Sequence, residues 1–188
     1  MTANLPTYIL LFGPPGSGKS TQGALLSDHL GVPHFSVGDL LRAKAESDCP
    51  EAAAIAEKMK TGALVEDSTV YELLKETLST HTGGFILDGF PRTQEQLPML
   101  ERLDEELGLG DYVSLDISVP AEVTRTRLLS RGRADDTPEV INTRLERYEE
   151  MAAPVLSYFT ERKSLKIIDG RGDIEEVAQR VRALFAKS

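Results

Sequence analysis

Cysteine is almost missing from this chain: Cys49 is the only one in 188 residues. That excludes an internal disulfide framework and any zinc site built from several cysteines, and it points to a reducing, cytoplasmic compartment. Cys49 itself is expected as a small buried hydrophobe. Long apolar runs are missing as well. The longest, Tyr8 to Phe12, is far short of the ~18 residues a membrane-spanning helix needs. No basic residue precedes that run, so no secretory signal is expected and the chain is read as starting at or near Met1. Positive charge is short too: 21 basic against 30 acidic residues leave a net charge of −9. A general nucleic-acid or anionic-membrane surface needs the opposite sign, so neither partner is expected. Any anionic ligand must therefore be met by a local cationic cluster.

What remains is the composition of a globular protein, 40% hydrophobic and 27% charged. A domain of about 150 residues already buries roughly 68–70% of its unfolded surface, so no staple is needed. Short apolar runs, Tyr8–Phe12, Phe85–Leu87, Tyr112–Val119 and Leu165–Ile168, with a weaker one at Pro33–Ser36, alternate with helix-like segments. Continuous rather than alternating, they read as buried strands of a parallel sheet. Helices are expected at Lys19–Leu30, ended by Gly31, at Ala121–Ser130 after Pro120, at Glu139–Arg162 with a kink at Pro154, and at Ile174–Phe185. The long helix should bury Val140, Leu145, Tyr148, Met151, Val155 and Phe159, and the last one Ile174, Val177, Val181 and Phe185. This order predicts a three-layer α/β fold with a central parallel five-stranded sheet and ligands at the carboxyl ends of its strands. Val37 to His81 breaks the rhythm with two or three helices in succession, a helical insertion on the core.

Gly13-Pro14-Pro15-Gly16-Ser17-Gly18-Lys19-Ser20 matches G-x-x-x-x-G-K-[ST] between a strand and a helix, the setting of a phosphate-binding loop. Curled backbone amides and a helix N-terminus would converge on an anion there. Lys19 would reach the outer phosphates and the Ser20 hydroxyl would hold Mg²⁺. A second oxygen ligand is offered by Asp88, which ends the apolar run Phe85-Ile86-Leu87; a strand ending in Asp before Gly89 is also an ordinary turn. Arginines then concentrate: Arg42 in the insertion, Arg92 just past Asp88, and Arg127, Arg131, Arg133 and Arg144 close together. Each alone could be a solvated surface residue. Brought together, such guanidinium groups would repel unless polyanionic oxygens lay between them, and phosphoryl transfer needs that arrangement.

At these residues the sequence resembles the adenylate kinase-type nucleoside monophosphate kinases. The likeness covers GPPGSGKSTQ at Gly13–Gln22, FSVGDLLR at Phe35–Arg42, GALVED at Gly62–Asp67, GFILDGFPRT at Gly84–Thr93, LLSRGRADD at Leu128–Asp136 and TRLERY at Thr143–Tyr148. It implies a P-loop NTPase fold with a core of residues 1–35, 83–130 and 138–188, an acceptor-binding insertion at 36–67 and a short lid at 131–137. It implies ATP at Gly13–Ser20, Thr21, Arg127, Arg131 and Gly172. It implies AMP at Ser36, Val37, Arg42, Leu64, Val65, Gly89, Arg92, Gln96, Arg133 and Arg144. Catalysis falls to Lys19, Arg92, Arg127, Arg131, Arg133 and Arg144, with Mg²⁺ on Ser20 and, through water, Asp88. Asp135 and Asp136 would position the lid arginines.

Two residues, Val37 and Ser20, depart from the family's usual pattern. Val37 stands where adenylate kinases usually carry Thr, removing a polar contact to the acceptor base, whereas Gln96 matches the glutamine that reads adenine. A buried amide discriminates better than one rim contact, which favours AMP. Ser20 replaces a frequent Gly and keeps the hydroxyl of the general motif. Only Gly132 separates Arg131 from Arg133, so the lid has no room for a zinc-binding insert, and no zinc is expected. The expected reaction is ATP + AMP giving two ADP, in a monomer, with no protein nucleophile. His29, His34 and His81 are expected to be structural or exposed. A UMP/CMP-type kinase and a nucleotide-binding regulatory module are the alternatives.

Overall fold

The computed structural model describes residues 8–81, 83–133 and 136–186. Five parallel strands form one sheet: β1 (Tyr8–Phe12), β2 (His34–Ser36), β3 (Phe85–Asp88), β4 (Tyr112–Ser118) and β5 (Leu165–Asp169), in the order β2-β3-β1-β4-β5. Around it lie α1 (Lys19–Leu30), α2 (Val37–Ala45), α3 (Ala52–Thr61), α4 (Asp67–Leu78), α5 (Leu97–Leu107), α6 (Ala121–Arg131), α7 (Pro138–Glu161) and α8 (Ile174–Ala183). The predicted three-layer α/β architecture is the one observed, and the insertion resolves into α2, α3 and α4. Among the described residues no helix is long and apolar enough to cross a membrane.

Alternate residues of each strand point to opposite faces, so one apolar strand feeds two cores. Leu10 and Phe12 join Leu41, Leu74, Phe85, Leu87, Leu103, Val155 and Phe159 on one side. Ile9 and Leu11 join Leu26, Ile86, Leu115, Ile117, Ile168, Val177 and Val181 on the other. The central strands β1, β3 and β4 are covered on both faces, which is why their runs read as continuously hydrophobic, whereas the edge strand β5, expected to be buried, leaves Lys166 and Ile167 exposed, Ile167 at 71%. A third cluster, Leu128, Ile141 and Leu145, ties α6 to α7.

Some predicted core positions shift. In α7 the fully buried residue is Ile141 rather than its neighbour Val140, because the face turned to α6 begins one residue later. In α8 Ile174 is 59% exposed and lies off the buried stripe of Val177, Ala178 and Val181. α7 runs unbroken through Pro154. Cys49 is half-buried, its Sγ donating to Lys44 O at 3.6 Å, and so is not a core hydrophobe.

The connections leave β1 toward β2 and β3 on one side and toward β4 and β5 on the other. The chain therefore splays apart at the carboxyl end of β1, where open α/β sheets receive their ligands. Register brings Leu11 opposite Asp88, Ser36 opposite Asp88 and Phe12 opposite Asp116, so polar residues line this edge.

Candidate active site

Gly13 follows β1 directly, and the chain folds back on itself through Ser17 N–H donating to Pro14 O at 3.0 Å. Gly16, at φ +81, lies so close to α6 that a Cβ would sit 2.7 Å from Thr124 O and 2.8 Å from Leu128 Cγ. Gly18 caps α1 at φ +97 with nothing within 4 Å of where a Cβ would stand, so its backbone faces open space. That open space lies at the helix N-terminus, where unpaired N–H groups and the helix dipole favour an anion. Thr21 is exposed on the first turn of α1.

Lys19 Nζ donates to Gly13 O at 2.7 Å and Pro14 O at 2.9 Å, so the ammonium hooks over its own loop. Burial pulls Lys19 down to about 8, against the attraction of Asp88 and Asp116 and with the help of Arg92 and Arg131. Four charges from three separate segments thus converge on one amine. Ser20 Oγ donates to Asp88 Oδ2 at 2.5 Å, placing a hydroxyl and a carboxylate side by side beneath the loop. These are hard oxygen donors of the kind Mg²⁺ takes. Among the described residues no group of three or more His, Cys, Asp or Glu could hold a metal by themselves.

Beside the loop, Val37, Leu41, Leu64, Val65, Val70, Gly89, Phe90, Arg92 and Gln96 line a cavity. Six of the predicted acceptor residues are thereby brought together from three chain segments. Arg92 lies across Gly89, its Nε donating to Gly89 O at 2.7 Å, and a Cβ on Gly89 would come within 2.9 Å of Arg92 NH2. Any larger residue at Gly89, already at φ +88, would displace the guanidinium. Crowding by the walls of the cleft lowers Arg92 from its ordinary value although water reaches its outer edge; Asp88 opposes this, and Arg144 and Arg42 add to it. Ser36 ends β2 and caps α2, its Oγ accepting from Asp39 N–H at 3.4 Å. Arg42 pairs with Asp39, whose Oδ1 also stands 3.9 Å from Arg133 NH2.

Arg131 grips Asp136 with both Nε and NH2, at 2.8 and 2.7 Å, and Arg144 NH1 reaches the same carboxylate at 3.3 Å. The Asp136 side chain is 1% exposed, so a buried anion orients two cations. Asp135 lies outside the described residues. Arg127 points the other way, donating to Gly170 O and Gly172 O at 3.2 Å and to Ser17 O at 3.4 Å, and so joins the phosphate loop to the β5–α8 turn.

This geometry is matched by kinship. The sequence profile of the adenylate kinases matches residues 11–164. "Adenylate kinase 1" of a Nostoc species is 40% identical over 94% of this chain and 97% of its own length. The chain belongs to the adenylate kinase family. Adenylate kinases of Kocuria rhizophila, 39% identical over 96% of this chain and 100% of their own sequence, and of Prochlorococcus marinus, 41% identical over 95% and 97%, are similar relatives. As an adenylate kinase it is a phosphotransferase of the nucleoside monophosphate kinase class.

The sequence assigns no site role to several residues that lie at the site of this adenylate kinase, and it places His34 only as structural or exposed. Asp116, 7% exposed at the carboxyl end of β4, accepts from Tyr148 OH at 3.4 Å; burial raises it, while Tyr148 and Lys19 act to lower it. Unlike Asp88, which closes its apolar run, Asp116 lies inside the run Tyr112–Val119, so nothing in the sequence marks it as a strand's end. His34 Nε2 stands 4.0 Å from Asp88 Oδ2, and Gly23 leaves it room, since a Cβ there would lie 2.5 Å from that nitrogen. Burial lowers His34, opposed by Asp88 and Asp39. Asp39 and Asp67, which partner Arg42 and Gln96, were likewise not singled out.

Proposed function

We propose that the protein catalyses reversible transfer of the γ-phosphoryl group of ATP to AMP, giving two ADP. The observation that carries this is the cavity ending in Arg92 immediately beside the phosphate loop. One cleft holds two sites whose cationic ends, Lys19 and Arg92, are near enough to act on each other. A module that only binds a triphosphate has no use for the second site.

On this reading residues 13–20, with Thr21, hold the ATP phosphates, and Arg127 and Gly172 border its base. The acceptor base lies among Val37, Leu64, Val65 and Gln96, with Gly89 and Ser36 at its rim and Arg42 and Arg92 on its phosphate. An acceptor phosphate oxygen attacks the γ-phosphorus in line as the bond to the β–γ bridging oxygen breaks, and that oxygen leaves with ADP. Charge gathers on the equatorial oxygens, and Lys19, Arg131, Arg133 and Arg144 are set to neutralise it. Asp136 holds Arg131 and Arg144 in place before the reaction, so little reorganisation is needed at its peak. Ser20 and Asp88 would hold Mg²⁺, which supplies charge neutralisation on the phosphates. Residues 36–67 act as the acceptor-binding arm and 131–137 as a short lid over a core of 1–35, 83–130 and 138–188, excluding water from the transfer. The lone Cys49 suits a cytoplasmic setting, and the net charge of −9 suits a monomer.

A coupled ADP-formation assay with AMP, UMP, CMP and GMP, with and without Mg²⁺, tests this. AMP with Mg²⁺ should give the highest kcat/KM; a preference for UMP or CMP would overturn the base assignment.

A further inference from the structure

Gln96 is 3% exposed, and both ends of its carboxamide are engaged. Its Oε1 accepts from the backbone N–H of Arg92 at 2.7 Å, and its Nε2 donates to Asp67 Oδ1 at 2.7 Å. Partners decide which end of a carboxamide is the oxygen. A backbone N–H can only donate and a carboxylate can only accept, so one orientation serves both. Turned over, the amide would set N–H₂ against N–H at Arg92 and oxygen against oxygen at Asp67, two part-buried conflicts at once.

A carboxamide has two acceptor lone pairs and two donor hydrogens. One of each is used here, so Gln96 retains one acceptor on Oε1 and one donor on Nε2, at a wall of the cavity. The edge of adenine presents an amino donor at position 6 beside the N1 acceptor, which complements that pair. Hypoxanthine and guanine present a carbonyl acceptor at position 6 beside an N1–H donor, which matches only the reversed amide.

We infer that Asp67 is a specificity-determining positioning residue: by fixing the orientation of the Gln96 carboxamide it selects 6-amino over 6-oxo purine monophosphates. Asp67 does not line the cavity. It acts through Gln96 from the first turn of α4, while Gln96 lies in the turn leading into α5, so two elements must pack correctly for the selection to operate. This inference rests on the reading of the cavity as the acceptor-base site.

The test compares AMP with inosine 5′-monophosphate as acceptors, because the two differ on this edge and the latter lacks the extra 2-amino group of GMP. Asp67→Asn keeps size and an acceptor oxygen but offers N–H as well, so either Gln96 orientation is tolerated at that end. The parent protein should prefer AMP by about 10²-fold or more in kcat/KM. In Asp67→Asn that preference should shrink about tenfold, with KM for ATP and the melting temperature little changed. Asp67→Ala removes the carboxylate without adding a donor and should compress the ratio in the same direction. An equal loss with both acceptors, or an unchanged ratio, would overturn the inference and leave the acceptor reading standing. A parent protein that prefers pyrimidine monophosphates would overturn that reading and the inference with it.

Discussion

At the scale of single residues, the cationic groups differ in how they are restrained. Arg92 is bent over Gly89 and held by a carbonyl, so its guanidinium points at the cleft before any nucleotide arrives. Arg92→Ala should reduce kcat/KM about 10²–10³-fold, the effect of removing one donor to developing charge. A thermal melt should be nearly unmoved, because water reaches the side chain's outer edge and its carbonyl partner can be hydrated. Turnover retained at the parent level would mean that Arg92 does not act on the transferring phosphoryl group. Val37 is 2% exposed and lines the proposed acceptor cavity at the start of α2. Val37→Thr should improve kcat/KM for AMP by on the order of 1 kcal/mol, the worth of one hydrogen bond. No change would mean that the added hydroxyl does not face the base.

At the scale of elements, the end of α3 is fastened to α7. Arg147 NH1 donates to Gly62 O at 2.8 Å, and Arg144 NH2 donates at 3.3 Å to Met59 O, which also accepts the Gly62 N–H, so two arginines reach carbonyls at the helix C-terminus. Gly62, at φ +73, packs so closely that a Cβ would lie 3.2 Å from Val140 Cγ1. The segment fastened in this way continues directly into Leu64 and Val65, two walls of the proposed acceptor cavity. Arg147→Ala should therefore raise KM for AMP about fivefold, as for loss of one hydrogen bond, with KM for ATP unchanged. Steady-state kinetics with each substrate varied separately would show it; equal changes in both constants would mean a general loosening of the fold.

At the scale of the whole molecule, chemistry and a stability liability sit at opposite ends of the sheet. Tyr8 and Tyr112 open β1 and β4, far along the strands from the phosphate loop, and Tyr112 OH donates to Asp104 Oδ1. Burial raises the Asp104 carboxyl from 3.8 to about 6; the Tyr112 hydrogen bond works against this and Glu101 adds to it. The native state thus binds more protons than the unfolded one between pH 3.8 and about 6. Stability falls as pH rises through that window and stays lower above it. Asp104→Asn, which still accepts from Tyr112, should stabilise the protein at pH 7 by on the order of 1 kcal/mol, a figure reduced for the solvent that reaches the group. That is a melting temperature about 2–4 °C higher for a chain of this size. The gain should vanish near pH 4 and kcat should not change. A shift of equal size at pH 4 and pH 7 would assign it to something other than this carboxyl.

Local chemistry was legible along the chain. The apolar run, glycine turn and lysine of Tyr8–Ser20 specify strand, anion loop and helix within a few residues, because each depends on neighbours in sequence. Gly31 could be read as a helix end in the same way, and the concentration of arginines in an acidic protein announced a polyanionic ligand. The sequence by itself therefore determined the class of fold, the phosphate loop and the kind of ligand. Only the tertiary structure decided which partner each charged or amide group takes. Asp136 against Arg131 and Arg144, Asp67 against Gln96, Asp116 beside Lys19 and Tyr148, and Arg147 on Gly62 all join segments that approach one another only when the sheet and helices pack. A charge or an amide carries no record of its partner in its own stretch of chain, since burial, distance and orientation set those pairings once the fold is complete.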